Sequence, residues 1–264
     1  MFDILTCYEW GKRNPQTQRR SYNAEWKEPK LLTIYTVDEQ GKKIKTKEIP
    51  ITNDGTFGNS KEFLKILEMH LVRLGIAQAQ EILFIADGQD WMWKEIPPLL
   101  KRLGCPIERT HYLQDFYHVT EHLAAFAEEA FTDKKEQNKW FKQARSWLRT
   151  GQVNTLLEEM KRLRKPTRKQ RRSRLTLEIN CLTKIWSAGR LNYPQIAALK
   201  LPLGSGAIES LIRQVVNLRL KGNGKYWLPD KAESLLHARC QWIAGTWDSF
   251  CEAILTARIY PVAA

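Results

Sequence analysis

The sequence predicts a mixed α/β fold: a strand-rich first part, a purely helical middle and a helical tail. Two observations carry this. Apolar runs of strand length alternate with helix-period segments through residue 118, and from 119 to 190 only helical periodicity remains. At 264 residues the chain can hold one core with an insertion or two modest domains. With 43% apolar residues it should be globular.

The elements follow in order. Residues 2–8 are apolar and read as a strand, and the polar, basic stretch 11–20 reads as an exposed loop. Residues 31–38 are β-rich, Gly41 supplies a turn, and 42–51 alternates before Asn53-Asp54-Gly55, which together predict a hairpin. Ser60 is expected to cap a helix carrying Phe63, Ile66, Leu67, His70, Leu71 and Leu74 and ended by Gly75. Residues 81–88 then form a buried strand that delivers Asp87 and Gly88 at its carboxyl end, where ligands sit in open α/β sheets.

Beyond it, 91–103 is read as a short helix interrupted by Pro97-Pro98, and 108–114 as a strand leading into Asp115-Phe116-Tyr117-His118. Helices are expected over 119–131, 133–150, 152–164 and 175–187, then over 207–220, 229–244 and 247–258. This divides the chain into 1–118, the first part of an α/β core; 119–190, an all-helical insertion; and 191–264, the closing part of the core.

Charge narrows the partners. Lysine and arginine outnumber aspartate and glutamate 42 to 29, a net charge of +13, which favours polyanions, nucleic acid first. A membrane is the rival partner. No apolar stretch approaches the ~20 residues of a spanning helix and no signal-peptide layout opens the chain, so a cytoplasmic protein is expected. Lys161, Arg162, Arg164, Lys165, Arg168, Lys169, Arg171 and Arg172 fill eight of the twelve positions 161–172, a density that favours phosphate contact over a merely solvated face. Arg213, Arg219, Lys221 and Lys225 form a second candidate group. The five cysteines are scattered without a C-x-x-C pair, so neither a disulfide framework nor a zinc site is expected.

Asp87 on a strand and Glu209 on a helix form the arrangement that holds two magnesium or manganese ions, one activating a hydroxyl nucleophile and the other stabilising the leaving oxygen. The bland alternatives are that Asp87 caps the following turn and that Glu209 pairs with Arg213. Ile208, Leu211, Ile212 and Val215 form a stripe that leaves Glu209 and Arg213 off its edge. Ser205 is expected to cap this helix; Gly204 and Gly206 either admit a phosphate or only shape a tight entry turn. His118 either touches a phosphate or orients an acid, or else Asp115 is an N-cap and His118 packs in the first turn. Trp91 and Trp93 follow Asp87 closely. Trp93 is the candidate for stacking on a base, with at least one of the pair expected in the core.

These residues resemble a family: bacterial insertion-sequence transposases of the RNase H-like, acid-triad (DDE) class, of the Kra type and related to the Mutator-like group. The likeness spans nearly the whole chain. It rests on Trp26-Lys27-Glu28-Pro29-Lys30-Leu31-Leu32, Ile82-Leu83-Phe84-Ile85-Ala86-Asp87-Gly88, Trp91-Met92-Trp93, Asp115-Phe116-Tyr117-His118, Leu203-Gly204-Ser205-Gly206-Ala207-Ile208-Glu209-Ser210 and Asn217-Leu218-Arg219-Leu220-Lys221-Gly222. It implies an RNase H-like mixed sheet flanked by helices, with Asp87 as second acid, Glu209 as final acid, Asp115 and His118 as a D-x-x-H motif, and an all-helical insertion before the final catalytic helix.

The implied reaction is magnesium- or manganese-dependent hydrolysis at transposon ends, followed by attack of the freed 3′-hydroxyl on target DNA. The implied partners are double-stranded DNA and further copies of the chain, at the bacterial nucleoid. The family places its first acid on the first strand before a glycine. Here Asp3 is the only acid near that strand and lacks the glycine, so either Asp3 substitutes or, as expected, the first acid lies in a lost upstream segment. The alternatives are a DNA-binding remnant that does not cut and a stand-alone RNase H-like nuclease.

Overall fold

A computed structural model describes residues 5–46, 48–165 and 169–259. In chain order the first elements are β1 (Leu5–Arg13), β2 (Arg20–Lys27), β3 (Lys30–Ile34), β4 (Thr52–Thr56), α1 (Ser60–Arg73), β5 (Ile82–Ala86), α2 (Asp90–Arg102) and β6 (Thr110–Gln114). Then come α3 (Phe116–Ala130), α4 (Lys134–Arg149), α5 (Val153–Arg164), α6 (Lys169–Ser187), α7 (Tyr193–Ala198), α8 (Gly206–Ile212), α9 (Pro229–Ala244) and α10 (Trp247–Ile259). The fold is mixed α/β and mostly helical, and the chain divides into two compact units: residues 1–75 with 206–264, and residues 76–205.

In the first unit β1 and β2 pair antiparallel, as do β3 and β4, from Lys30 opposite Thr56 to Ile34 opposite Thr52. Of the stretch 11–20 expected to be an exposed loop, residues 14–19 form the exposed turn of this hairpin, while 11–13 and 20 belong to its strands. The polar sequence of β2 hides its strand character, which comes from pairing with β1. Gly41 does turn the chain at φ +80°, where Asp38 accepts the N–H groups of Gln40 and Lys42.

Asn53-Asp54-Gly55, which sequence alone reads as part of the hairpin turn, instead sits inside β4 and is buried. The reason is close approach. A Cβ on Gly55 would lie 2.3 Å from the carbonyl oxygen of Lys30, so only glycine lets β3 pass. Asn59, not Ser60, caps α1: its side chain accepts from Lys61 and Glu62 N–H groups, and Glu62 reaches back to the Asn59 N–H. Of the apolar stripe on α1, Phe63, Leu67, His70 and Leu71 are buried, whereas Leu74 is exposed. α8 lies along β3 and α9 along β4. α8 continues as a π-helical segment, Arg213–Leu220, and Leu211, Val215, Val216 and Leu220 pack with Ala232, Leu236 and Cys240 as the core.

In the second unit β5 and β6 are parallel, from Ile82 opposite Thr110 to Ala86 opposite Gln114, with α2 as the crossover. α2 is not interrupted at Pro97-Pro98; it runs through both. Each proline removes an N–H and strains a helix interior by about 3 kcal/mol. Burial of Trp93, Ile96, Leu99 and Leu100 along one face offsets this.

The four helices expected after β6 are present as α3 to α6. Their interior is one apolar core that includes Val119, Leu123, Phe126, Trp140, Leu148 and Leu175. The short α7 was not expected. It seats a fully buried Tyr193, whose hydroxyl donates to the Gln114 carbonyl. The described strands thus form three two-stranded sheets instead of one mixed sheet, although both pairing senses are present.

Candidate functional site

The parallel pair ends with its two acids on the same edge. Ala86 faces Gln114 in the register, so Asp87 and Asp115 each follow the last residue of their strand, and the Asp115 N–H donates to the Ala86 carbonyl at 3.0 Å. The two carboxylates then diverge. Asp87 is exposed, with Oδ1 accepting the Gln89 N–H at 3.1 Å. Asp115 is buried: Oδ1 caps α3 by accepting Tyr117 and His118 N–H groups, and Oδ2 accepts the N–H and hydroxyl of Ser205.

Asp115 therefore serves as the N-cap of α3 and ties Ser205 to it. Ser205, expected to cap the Glu209 helix, directs its hydroxyl to Asp115.

His118, in the first turn of α3, is half-buried. A Cβ on Gly88 would meet its Nε2 at 3.5 Å, so the loop carrying Asp87 and the first turn of α3 abut at this imidazole. Its Nδ1 lies 3.6 Å from Glu121, and its ring stands edge-on to that of His122 at 5.0 Å.

Trp93 requires correction as a base-stacking residue. It is buried, its indole N–H donates to the Asp87 carbonyl at 2.9 Å, Phe84 packs against it at 5.0 Å, and the Arg190 guanidinium covers its face at 4.1 Å. Trp93 pins the backbone of Asp87 and is withdrawn from any base. The amide Nε2 of Gln114 is buried beside this edge without a hydrogen-bond partner.

Glu209 is exposed on α8, as is Arg213 at the start of the π segment, while Leu211 and Val215 are buried, which is the stripe-and-rim arrangement the sequence suggested. Asp3 and Arg168 lie outside the described residues. Among the described residues no three His, Cys, Asp or Glu side chains group so as to hold a metal ion.

Basic groups cover the helices of the second unit. Lys161, Arg162, Lys165, Arg171 and Arg172 are exposed and Arg164 is half-buried; Lys169 opens α6, and its side chain lies outside the described ones. Arg162 is held by Glu159 through two hydrogen bonds of 2.7 Å, which lowers its net attraction for an anion. In the first unit Arg219 is exposed and Lys221 half-buried, beside the turn at 222–224. The sequence reading missed a second stripe, Lys135, Lys139, Lys142 and Arg149 on α4. These four share one exposed face, opposite buried Trp140, Ala144 and Leu148. The i, i+4, i+7, i+14 spacing was its available signal.

A further polar cluster, also missed, lies in the first unit. Asp54 accepts His70 Nε2 at 2.7 Å and His237 Nδ1 at 2.6 Å, and its Oδ1 also takes the Gly55 N–H. Glu233 lies 3.6 Å from His237 Nε2 and accepts the Phe57 N–H. Burial opposes ionisation of Asp54, but the hydrogen bonds from His237 and His70 outweigh it and hold the carboxyl well below its usual range. The bonds to Asp54 and then Glu233, against burial, push His237 up to about 9. This is a charged latch joining β4, α1 and α9. The clue in sequence was a histidine within the apolar stripe of α1.

Among the described residues no helix is long and apolar enough to cross a membrane. Comparison with protein-family models, curated proteins and solved structures gave no match.

Proposed function

We propose that the chain acts on DNA as a transposase of the RNase H-like acid-triad class, cutting at transposon ends and joining the freed 3′-hydroxyl to target DNA. The observation that carries this reading is the exposed Asp87 carboxylate at the carboxyl edge of β5 and β6, on a unit whose helices present basic surface. Glu209, exposed on α8, is the second acid of the proposal. The reading calls for magnesium or manganese, with Asp87 and Glu209 each a candidate ligand, and the ion would supply Lewis-acid activation of the attacking and leaving oxygens.

The residues of the chain itself have definable tasks in this reading. Asp115 fixes the first turn of α3 and thereby aims His118 at the Asp87 loop; Trp93 pins that loop from beneath. The faces of α4, α5 and α6 neutralise backbone phosphates, and two copies of the chain would serve the two ends of a transposon. A second reading, DNA binding without cutting, needs only the basic surface of α4, α5 and α6.

The test is duplex binding across a salt series together with nicking and joining of supercoiled plasmid in magnesium, for the parent, Asp87→Asn and Glu209→Gln. The transposase reading expects binding that weakens steeply with salt, nicking and joining by the parent, and loss of both reactions in each variant with binding kept. Binding with no nicking by the parent supports the second reading. Nicking without joining would identify a nuclease.

A further inference from the structure

A cysteine, a histidine and a glutamate meet on the helical block, apart from the Asp87 edge. Glu178 and Cys181 are one turn apart on α6, and both face His122 of α3. The Glu178 carboxylate holds His122 Nδ1 at 2.7 Å, and the other ring nitrogen, Nε2, lies 3.9 Å from Cys181 Sγ. The glutamate thus fixes the ring orientation, and Nε2 is left to exchange a proton with the thiol. This is the order of roles in nucleophile–base–orienter constellations. Cys105 and Cys240 are buried, and burial pushes both thiols up. Cys181 and Cys251 are the half-buried cysteines among the described residues, and Cys181 is the one with an imidazole at its sulfur.

We propose that Cys181 is a reactive thiol activated by His122 and Glu178, and that it is a modification site for small disulfides and other soft electrophiles. The bonds to Cys181, against burial, raise His122 to about 9, in keeping with an imidazolium beside the sulfur at neutral pH. The reaction with a small disulfide balances as follows. His122 Nε2 takes the Sγ proton. The thiolate attacks one sulfur of the disulfide, forming the mixed disulfide, while the old S–S bond breaks and the departing thiolate recovers the proton from the imidazolium. No further oxidant is needed.

A thiolate paired with an imidazolium gains in ionised fraction over an unassisted thiol but loses nucleophilicity as it is stabilised, and the two effects together leave a rate gain of about three- to fourfold. The test is the rate of iodoacetamide labelling at each cysteine, read by peptide mass spectrometry on the folded full chain, with Cys251 as internal reference. Cys181 should react about three- to fourfold faster than Cys251. His122→Gln and Glu178→Gln, each checked for an unchanged circular dichroism spectrum, should bring it down to the reference rate. Glutathione disulfide should add one glutathionyl group, at Cys181. Equal rates at Cys181 and Cys251, or a fast Cys181 that neither substitution slows, overturn the proposal. If one variant fails to fold, the other decides between these results.

Discussion

The two units bury their polar groups differently. Residues 76–205 enclose an apolar core in which Asp115 is satisfied by backbone and serine donors of its own neighbourhood. Residues 1–75 with 206–264 have a smaller apolar core and place beside it an ionised Asp54 between two imidazoles from α1 and α9. An apolar core loses stability mainly when volume is removed. A charged latch loses it when one partner is removed or when pH neutralises one. The comparison teaches where an acid is available for chemistry: Asp54 and Asp115 are hydrogen-bonded into the fold, whereas Asp87 is left exposed.

The largest expected effect is in the apolar unit. Phe126, fully buried and stacked on Trp140 at 5.0 Å, should lose about 3–5 kcal/mol when changed to alanine. Hydrogen exchange followed by mass spectrometry should show the loss in α3 and α4 peptides. Asp54→Asn should lose about 3 kcal/mol at neutral pH, read in the β4 and α9 peptides, because two imidazoles then face an uncharged group. An effect spread equally over both units would break the contrast drawn here.

Next comes pH. His237 is raised from its ordinary 6.5 to about 9, so its contribution is fully present below pH 6.5 and is lost as pH rises through about 9. Asp54 is lowered, so its contribution is present above the ordinary carboxylate range and is lost as pH falls into acid. Protection of β4 and α9, corrected for intrinsic exchange, should therefore fall between pH 6.5 and 9, and His237→Gln should flatten that slope. His122 acts with the same sign in the other unit, more weakly because it is partly exposed and solvent-screened.

Two smaller effects sharpen the picture. Gly55→Ala brings a methyl group into the Lys30 carbonyl and should lose about 1–3 kcal/mol in the β3 and β4 peptides. Lys139→Glu with Lys142→Glu should leave stability within about 0.5 kcal/mol. If α4 touches DNA, that pair should weaken duplex binding and lower the salt slope by about one per lost phosphate contact. Unchanged binding would remove α4 from the interface.

Much of this was legible in sequence. The helices α3 to α6 declared themselves because each repeats apolar residues at helical spacing, and Asp115 because an aspartate before an apolar run is a local cap signal. The residues that misled are those whose state is decided far along the chain. Asn53-Asp54-Gly55 has local turn chemistry, but His70 and His237, 16 and 183 positions away, draw Asp54 into the interior. Trp93 follows Asp87 closely enough to suggest a stacking platform. Only the fold reveals that Phe84 and Arg190 enclose it. α2 passes through two prolines because tertiary burial outweighs propensity. Glu209 was read correctly as a rim residue, since the apolar stripe beneath it is local.

The most direct measurement is magnesium-dependent nicking of supercoiled plasmid by the parent and by Asp87→Asn, with melting temperature and duplex affinity recorded on the same samples. The expected result is nicking by the parent and none by Asp87→Asn, with melting and binding unchanged. A parent that binds DNA yet leaves the plasmid supercoiled, or an Asp87→Asn variant that nicks as fast as the parent, contradicts the assignment of Asp87 as the acid left free for chemistry.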